Sequence, residues 1–188
     1  MDYRQRITAA FKELAVAKGI SRVTVDELAE RTGISKRTIY RYFNSKEEII
    51  VSVLEDFMSA MSQKVDQALA TSTDPLEKIL NVIKVIPDNV SLFFPLVLHD
   101  LQKHYPHLWE KVERFRAGRA EHIIERIIND ETGRFKKINP KVFTTSLLAG
   151  IRAVLNPVFI MENNLTLEEA VQALFTIFLH GIVEHKAS

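Results

Sequence analysis

The chain has 188 residues, 46% hydrophobic and 26% charged, with a net charge of +1, a composition typical of a globular protein. It contains no cysteine, which excludes disulfides, thiolate metal sites and cysteine nucleophiles. No apolar run reaches the roughly 20 residues that cross a bilayer, and the amino terminus lacks the apolar segment of a signal peptide, so we expect a cytoplasmic protein.

The first four helices are predicted from apolar residues at three- and four-residue spacing and from their end signals. Gly19 stops the first helix, and a capping box of Thr24 and Glu27 starts the second. Gly33 breaks the second helix, and Ser35 caps the third. The predicted helices are residues 3–18, 25–32, 36–42 and a long fourth helix from a second capping box at 45–48.

Proline and asparagine mark the helices of the remaining chain. Pro87 is predicted to end a fifth helix, and Pro157 to kink the eighth. The predicted helices here are residues 75–86, 89–104, 106–129, 140–162 and 167–185. The sequence therefore predicts an all-α fold of about nine helices, with a helix-turn-helix domain at residues 1–46 and a ligand-binding and dimerisation domain at residues 47–188.

Residues 21–46 have the features of a DNA-binding helix-turn-helix, in which two short helices are joined by a glycine turn. Residues 1–47 carry ten basic and six acidic residues, whereas the rest of the chain is net acidic, as expected for a DNA-binding head. The third helix needs only Ile39 and Phe43 for the core and is otherwise polar. The predicted DNA-contacting residues are Thr24, Ser35, Lys36, Arg37, Thr38, Tyr40, Arg41, Tyr42 and Lys46.

The run from Thr24 to Glu48, TVDELAERTGISKRTIYRYFNSKEE, resembles the DNA-binding head of the tetracycline-repressor (TetR) family. The resemblance covers residues 3–57 at the level of motifs, and a Phe178–Gly181 segment resembles the family's final helix. It implies that Thr24, Tyr40 and Lys46 contact phosphates. It also implies that five residues of the third helix face the groove: Lys36, Arg37, Thr38, Arg41 and Tyr42. It further implies a repressor that binds a palindromic operator as a homodimer and is released by a small-molecule effector.

The last two predicted helices are apolar over so much of their circumference that we expect one side to lie in the core and the other in a dimer interface. The predicted interface residues are Leu148, Ile151, Leu155, Leu174, Phe178, Gly181 and Ile182. Aromatic and basic residues in the middle of the chain are candidates for an effector pocket. These candidates are Phe94, His99, Trp109, Phe115, Arg119, His122 and Phe143.

Two other function classes remain open at this point. A DNA-associated helical protein without an effector has the same head, and a helical enzyme is compatible with the helical body. The chain has no G-x-S-x-G, no glycine-rich phosphate loop and no H-E-x-x-H motif. We therefore expect no catalytic activity, no metal and no cofactor, and we expect double-stranded DNA, a second copy of the chain and an unknown small molecule as partners.

Overall fold

The computed structural model describes residues 2–90, 96–128 and 139–182, and within these ranges the chain forms ten α-helices. In chain order they are α1 (Tyr3–Lys18), α2 (Val25–Thr32), α3 (Lys36–Tyr42), α4 (Lys46–Ala70), α5 (Pro75–Val90), α6 (Leu96–His104), α7 (Pro106–Ile128), α8 (Pro140–Val154), α9 (Pro157–Glu162) and α10 (Leu167–Ile182). The all-α prediction is confirmed. None of these helices is both long and apolar enough to cross a membrane.

The chain divides into two compact units, which we call the head unit (residues 1–60 and 92–112) and the body unit (residues 61–91 and 113–188). Helices α1, α2, α3 and α6 lie in the head unit, whereas α5, α8, α9 and α10 lie in the body unit. Helices α4 and α7 contribute residues to both. The functional division at residue 46 stays a prediction, because grouping by contacts does not test it.

The head unit is held together by a small core of aliphatic and aromatic side chains. Phe11 of α1, Leu28 of α2 and Ile39 of α3 are each at most 1% exposed, as are Phe43 and Ile49. Burying a side chain of this size contributes about 1.5–3 kcal/mol. A few such residues therefore hold α2 and α3, which are individually too short to be stable, against the longer α1.

The body unit has two apolar clusters. One joins Val65 and Leu69 of α4 with Val82 of α5 and Ile127 of α7. The other joins side chains of α7, α8 and α10: Ile124, Phe143, Leu147, Ile151, Phe175 and Phe178. Helix α7 contributes Ile127 to the first cluster and Ile124 to the second, and α10 packs on both α5 and α8.

The eighth predicted helix was wrong in its extent, because Pro157 starts a new helix instead of kinking one. Helix α8 ends at Val154, and Asn156 caps α9 by accepting a hydrogen bond from Val158 N at 2.9 Å. A proline at the first helical position loses no hydrogen bond, since that N–H has no intrahelical partner. The asparagine before it supplies the cap, so two helices are found here where one was predicted.

The fifth predicted helix was also too short, because Pro87 lies inside α5, which continues to Val90. Pro87 is buried, and the Asn89 side chain donates to Val85 O at 2.7 Å, so side-chain hydrogen bonding supports the backbone of this turn. Helix α6 begins at Leu96, whereas its predicted start at residue 89 falls within α5. The predicted ends of the seventh and last helices, at 129 and 185, lie outside the described residues.

Two helical glycines allow a matched test of packing between α8 and α10. A Cβ added at Gly150 would lie 3.0 Å from Leu174 Cδ1 and 3.3 Å from Phe178 Cε2, whereas a Cβ at Gly118 would meet nothing within 4 Å. Replacing glycine by alanine inside a helix stabilises the fold by about 0.5–1 kcal/mol when the added methyl group meets no neighbouring atom. We expect G118A to raise the free energy of unfolding by that amount, and G150A to show no gain or a loss of about 1 kcal/mol.

Urea unfolding of both variants, followed by circular dichroism, measures this difference. An equal gain in the two variants would contradict the close packing of α8 on α10 at Gly150.

Candidate nucleic-acid interface

The turn between α2 and α3 is fixed by one glycine and one buried threonine. Gly33 has φ 66° and ψ 21°, a left-handed conformation that side chains disfavour. The Thr32 hydroxyl donates to Leu28 O at 2.5 Å and accepts from Ile34 N at 3.3 Å, and Ile34 is 4% exposed. The predicted breaker and the apolar residue after it are therefore both confirmed.

Helix α3 presents two sides of opposite character. Its core side consists of Ile39, which is fully buried, and the following Phe43. The other side exposes Lys36, Arg37, Tyr40 and Arg41, and Tyr40 is 49% exposed. Ser35 caps the helix by accepting from Thr38 N at 3.1 Å, and the two hydroxyls are 2.9 Å apart. The short helix thus offers cations and hydroxyl donors on one surface.

The amino-terminal turn of α1 holds the carboxyl end of α3, a role that sequence reasoning missed. Arg4 donates to Tyr42 O at 3.3 Å, and its guanidinium lies 4.4 Å from the centre of the Phe43 ring. The rings of Tyr3 and Tyr42 are 5.7 Å apart, which leaves Tyr42 half-buried. Arginine at a helix carboxyl end satisfies carbonyls that lack intrahelical partners and complements the helix dipole.

The Arg6 side chain makes the same kind of contact with α2. Its guanidinium donates to Thr32 O at 2.6 Å, at the last residue of that helix. No sequence motif predicts these arginine contacts, because they join residues 26 and 38 positions apart.

The capping box at α2 forms as predicted, and its hydrogen bonds occupy the Thr24 hydroxyl. Thr24 Oγ1 accepts from Glu27 N at 3.3 Å and donates to Glu27 Oε2 at 2.8 Å. A hydroxyl has a single proton, so a phosphate contact through that proton requires Thr24 to release Glu27. Its predicted phosphate contact stays a prediction.

The Glu27 carboxylate is stabilised in its charged form from two directions. It forms an ion pair with Lys18 and accepts from Thr24 N at 2.9 Å. The hydrogen bond from Lys18, followed by those from Thr24, lowers the pKa of Glu27 from 4.5 to about 2. The amino terminus of α2 therefore already holds an anionic group at neutral pH.

Lys46, predicted as a phosphate contact, donates to Ser21 O at 2.8 Å. Burial lowers the pKa of Lys46, and the charge of Asp100 opposes that shift. The Ser21 contact uses one of its three ammonium donors, which leaves two donors for a phosphate.

The Ser21 backbone is held from α6 as well. The Asp100 carboxylate, 13% exposed, accepts from Ser21 N at 2.5 Å and from Ser21 Oγ at 2.9 Å. Gly19 has φ 90°, and a Cβ there would lie 3.0 Å from Asp100 Oδ2. A largely buried carboxylate that accepts two hydrogen bonds thus fixes the loop before α2. Sequence reasoning missed Asp100, which is 79 residues away from Ser21.

The predicted pocket residues lie in both units. His99 and Trp109 belong to the head unit and are half-buried. In the body unit, Arg119 donates to Asp66 Oδ1 at 2.6 Å and to Ser62 O at 3.4 Å, while its buried Nε has no hydrogen-bond partner among the described residues.

The other predicted pocket residues of the body unit differ in exposure: Phe115 is half-buried, His122 is exposed, and Phe143 packs edge-on against Phe178 with ring centres 5.7 Å apart. Phe94 lies outside the described residues. The pocket stays a prediction.

The predicted dimer residues also differ in exposure. Leu155 and Leu174 are 4% and 5% exposed in the single chain, so they have little surface left for a partner. Leu148, Ile151 and Phe178 are half-buried and Gly181 is exposed, whereas the Ile182 side chain lies outside the described part. The prediction omitted the two most exposed large apolar residues of α8 and α10, Val142 at 61% and Ile177 at 70%.

Across the described ranges, no group of three or more histidine, aspartate or glutamate side chains is arranged to hold a metal ion. The ionisable groups of the head unit are instead used in capping boxes, ion pairs and carbonyl contacts. The chemistry that this surface supports is recognition of a polyanion.

Comparison with known proteins agrees with that chemistry. The sequence model described as "Bacterial regulatory proteins, tetR family" matches residues 7–53, which span α1 to the first turns of α4. The chain is also 28% identical over 181 residues to the HTH-type transcriptional regulator YvaF of Bacillus subtilis (strain 168), covering 95% of this chain and 94% of that protein.

Solved structures share the fold over nearly the whole chain. A transcriptional regulator from Saccharomonospora viridis in complex with choline is similar with a TM-score of 0.76, 18% identity and coverage of 97% of this chain and 98% of that one. A TetR transcription regulator from Haloarcula marismortui ATCC 43049 is similar with a TM-score of 0.73, 17% identity and coverage of 96% and 98%.

The lowered pKa of Glu27 makes the stability of the head unit depend on pH. A carboxylate whose folded pKa is depressed contributes stability above its unfolded pKa, and this contribution is lost as pH falls through the folded value. We expect E27Q to lower the melting temperature at neutral pH, and the deficit to shrink as pH falls from 4.5 towards about 2.

The matched control is E169Q, since Glu169 caps α10 through Thr166 and its pKa is lowered by those hydrogen bonds, with no lysine among the causes. Thermal melting across this pH range should show the larger pH-dependent deficit for E27Q. A deficit that does not change with pH would contradict the assignment.

Proposed function

Because the chain belongs to the tetR family of bacterial regulatory proteins, we propose that it is a homodimeric repressor that binds a palindromic operator through α3 and is released by a small-molecule effector. Its activity as a DNA-binding transcriptional regulator follows from the family. The observation that carries the operator contact is the division of α3 into a buried side at Ile39 and an exposed basic side. We propose that it acts in the cytoplasm, where bacterial DNA lies.

Each polar residue of the head has a role in this proposal. Lys36, Arg37 and Arg41 supply cations for phosphates and guanine edges, since these donors match the acceptors of the major groove. Thr38 and Tyr40 donate to phosphate oxygens, and Tyr42 contacts sugar or a thymine methyl. Thr24, Ser35 and Lys46 anchor the DNA backbone at helix amino termini, where free N–H groups favour anions.

The homodimer is supported by the exposed surfaces of α8 and α10. Both helices expose small residues next to one large apolar side chain, with Ala149 and Val142 on α8 and Ala173 and Ile177 on α10. Small side chains allow close approach of two helices, and a large one then fills the interface. A two-fold dimer matches a palindromic operator with half-sites about 34 Å apart.

The effector is supported by the body unit and by the fold. The choline bound to the Saccharomonospora viridis protein indicates that this fold can hold a small molecule, although its ligand does not transfer at 18% identity. In this chain, the buried Arg119 Nε is a donor that a ligand acceptor would satisfy. Helix α4 contributes to both units, so a ligand that prefers one position of α4 would shift the head.

A DNA-binding protein without an effector is the second candidate, because the same head serves both. The two are separated by screening small molecules for a rise in melting temperature and testing each hit for release of operator DNA. If the protein were a helical enzyme, it would convert such a compound chemically, whereas a repressor releases DNA and leaves the compound unchanged.

The DNA contact is tested with operator sites selected from a random pool of duplexes. We expect K36A/R37A to weaken binding to a selected site by about 10- to 100-fold, since each cation contributes through phosphate or base contacts. K141A, which removes an exposed lysine of α8 in the body unit, is the matched control and should bind as the wild type does. A gel shift measures both. Undiminished binding by K36A/R37A would reject the assignment of α3.

The dimer is tested by placing a charge in its proposed centre. We expect I177D to weaken dimerisation at least about 10-fold, since a charge buried in an apolar interface is costly. Ile177 is 70% exposed within one chain, so the fold should be retained. L80D, the same change at a 41% exposed leucine of α5, is the control. Sedimentation equilibrium measures the association constant, and equal dimerisation of both variants would reject the α10 interface.

A further inference from the structure

The first residue of α3 is already paired with a carboxylate of α2. The Lys36 ammonium forms an ion pair with Asp26 across the turn of the helix-turn-helix. Both side chains are solvent-exposed, at 52% for Lys36 and 69% for Asp26. The pair therefore lies on the surface that is proposed to meet DNA, and it brings a negative charge to that surface.

The other cations of α3 differ from Lys36 in this respect. The Arg41 guanidinium lies over the Tyr42 ring at 5.5 Å, and neither Arg37 nor Arg41 has an acidic partner within the described part of the chain. Their positive charge is therefore available to DNA without displacing a carboxylate. Lys36 instead meets a phosphate or a base with the Asp26 carboxylate beside it.

We propose that Asp26 acts as an internal counter-anion that weakens the binding of Lys36 to DNA. The proposal rests on the proposed function. An exposed ion pair is weak, so the phosphate can replace the carboxylate, but the released carboxylate stays within a Debye length of the phosphates. The net charge that this pair brings to DNA is therefore near zero, whereas Lys36 alone would bring +1.

The consequence is simplest to measure in non-specific binding. Binding to arbitrary sequence is almost wholly electrostatic, whereas binding to an operator adds base contacts from the remaining residues of α3. Loss of one effective cation therefore lowers the non-specific affinity through its electrostatic contribution alone, and the change appears in the dependence of the affinity on salt.

Asp26 also lies in the first turn of α2, where a carboxylate favours the helix dipole. A purely structural role would change stability and leave the affinity of the folded protein unaltered. The role proposed here changes the affinity and its dependence on salt, and it does so only when Lys36 is present.

The experiment measures binding of the full chain to a mixed-sequence duplex of about 30 base pairs by fluorescence anisotropy, between about 50 and 200 mM salt. We expect D26N to bind about 3- to 5-fold more tightly than the wild type at the lowest salt, with a salt slope steeper by about 0.9. D26S repeats the neutralisation with a residue favoured at helix amino termini. E30Q, the same charge change at an exposed residue of α2, should differ little from the wild type.

Coupling to Lys36 is measured with K36A and D26N/K36A, since a double-mutant cycle isolates the interaction of the two residues. We expect D26N to give little gain when Lys36 is absent. Wild-type affinity or weaker binding in both D26N and D26S, or an equal gain in the K36A background, would overturn the proposal. Failure of the wild type to bind any duplex would instead reject the DNA-binding function itself.

Discussion

Burial of Ile39 and Phe43 in the core of the head unit is the constraint on which the rest of the interface depends. Helix α3 has seven residues, too few to be stable alone, so it exists because these two side chains are anchored beneath it. Their burial fixes the rotation of the helix about its axis. That rotation decides which polar residues face outwards, so the same two residues set both the core packing and the surface that we propose to contact DNA.

The ends of this assembly are held by polar contacts that reach far along the chain. Arg4 binds the last carbonyl of α3, Arg6 binds that of α2, and Asp100 fixes Ser21 before α2. Each contact satisfies a backbone group that would otherwise lack a partner at a helix end or a loop. The surface proposed to read DNA is thus anchored by contacts from distant parts of the chain.

The head unit also shows that cations are not free merely because they are exposed. Lys18 pairs with Glu27, Lys36 pairs with Asp26, and Lys46 donates to Ser21 O. The Glu27 and Asp26 carboxylates offset the lysines with which they pair, so the number of basic residues in a segment overstates the positive charge that is available for binding. In the body unit, Arg116 is similarly occupied: it pairs with Glu113 at 2.7 Å and donates to Leu155 O at 3.1 Å.

The sequence by itself determined the all-α class, the bounds of α1, α2 and α3, the glycine turn and the capping box of Thr24 with Glu27. These features depend on neighbours three or four residues apart, and such contacts can be read from spacing. The DNA-facing residues of α3 are a prediction of the same kind, because once the buried positions of a short helix are assigned, its polar residues can lie only on the opposite surface.

Only the tertiary structure decided the features that depend on distant residues. Pro87 lies inside α5, where its burial and the hydrogen bond from Asn89 to Val85 O outweigh the general tendency of proline to end helices. Likewise, Leu155 and Leu174 are core residues of one chain, while Ile177 is exposed, although all three fit the same apolar pattern. Periodicity identifies an apolar side chain but not its partner, because the partner is chosen by the packing of helices far apart in sequence.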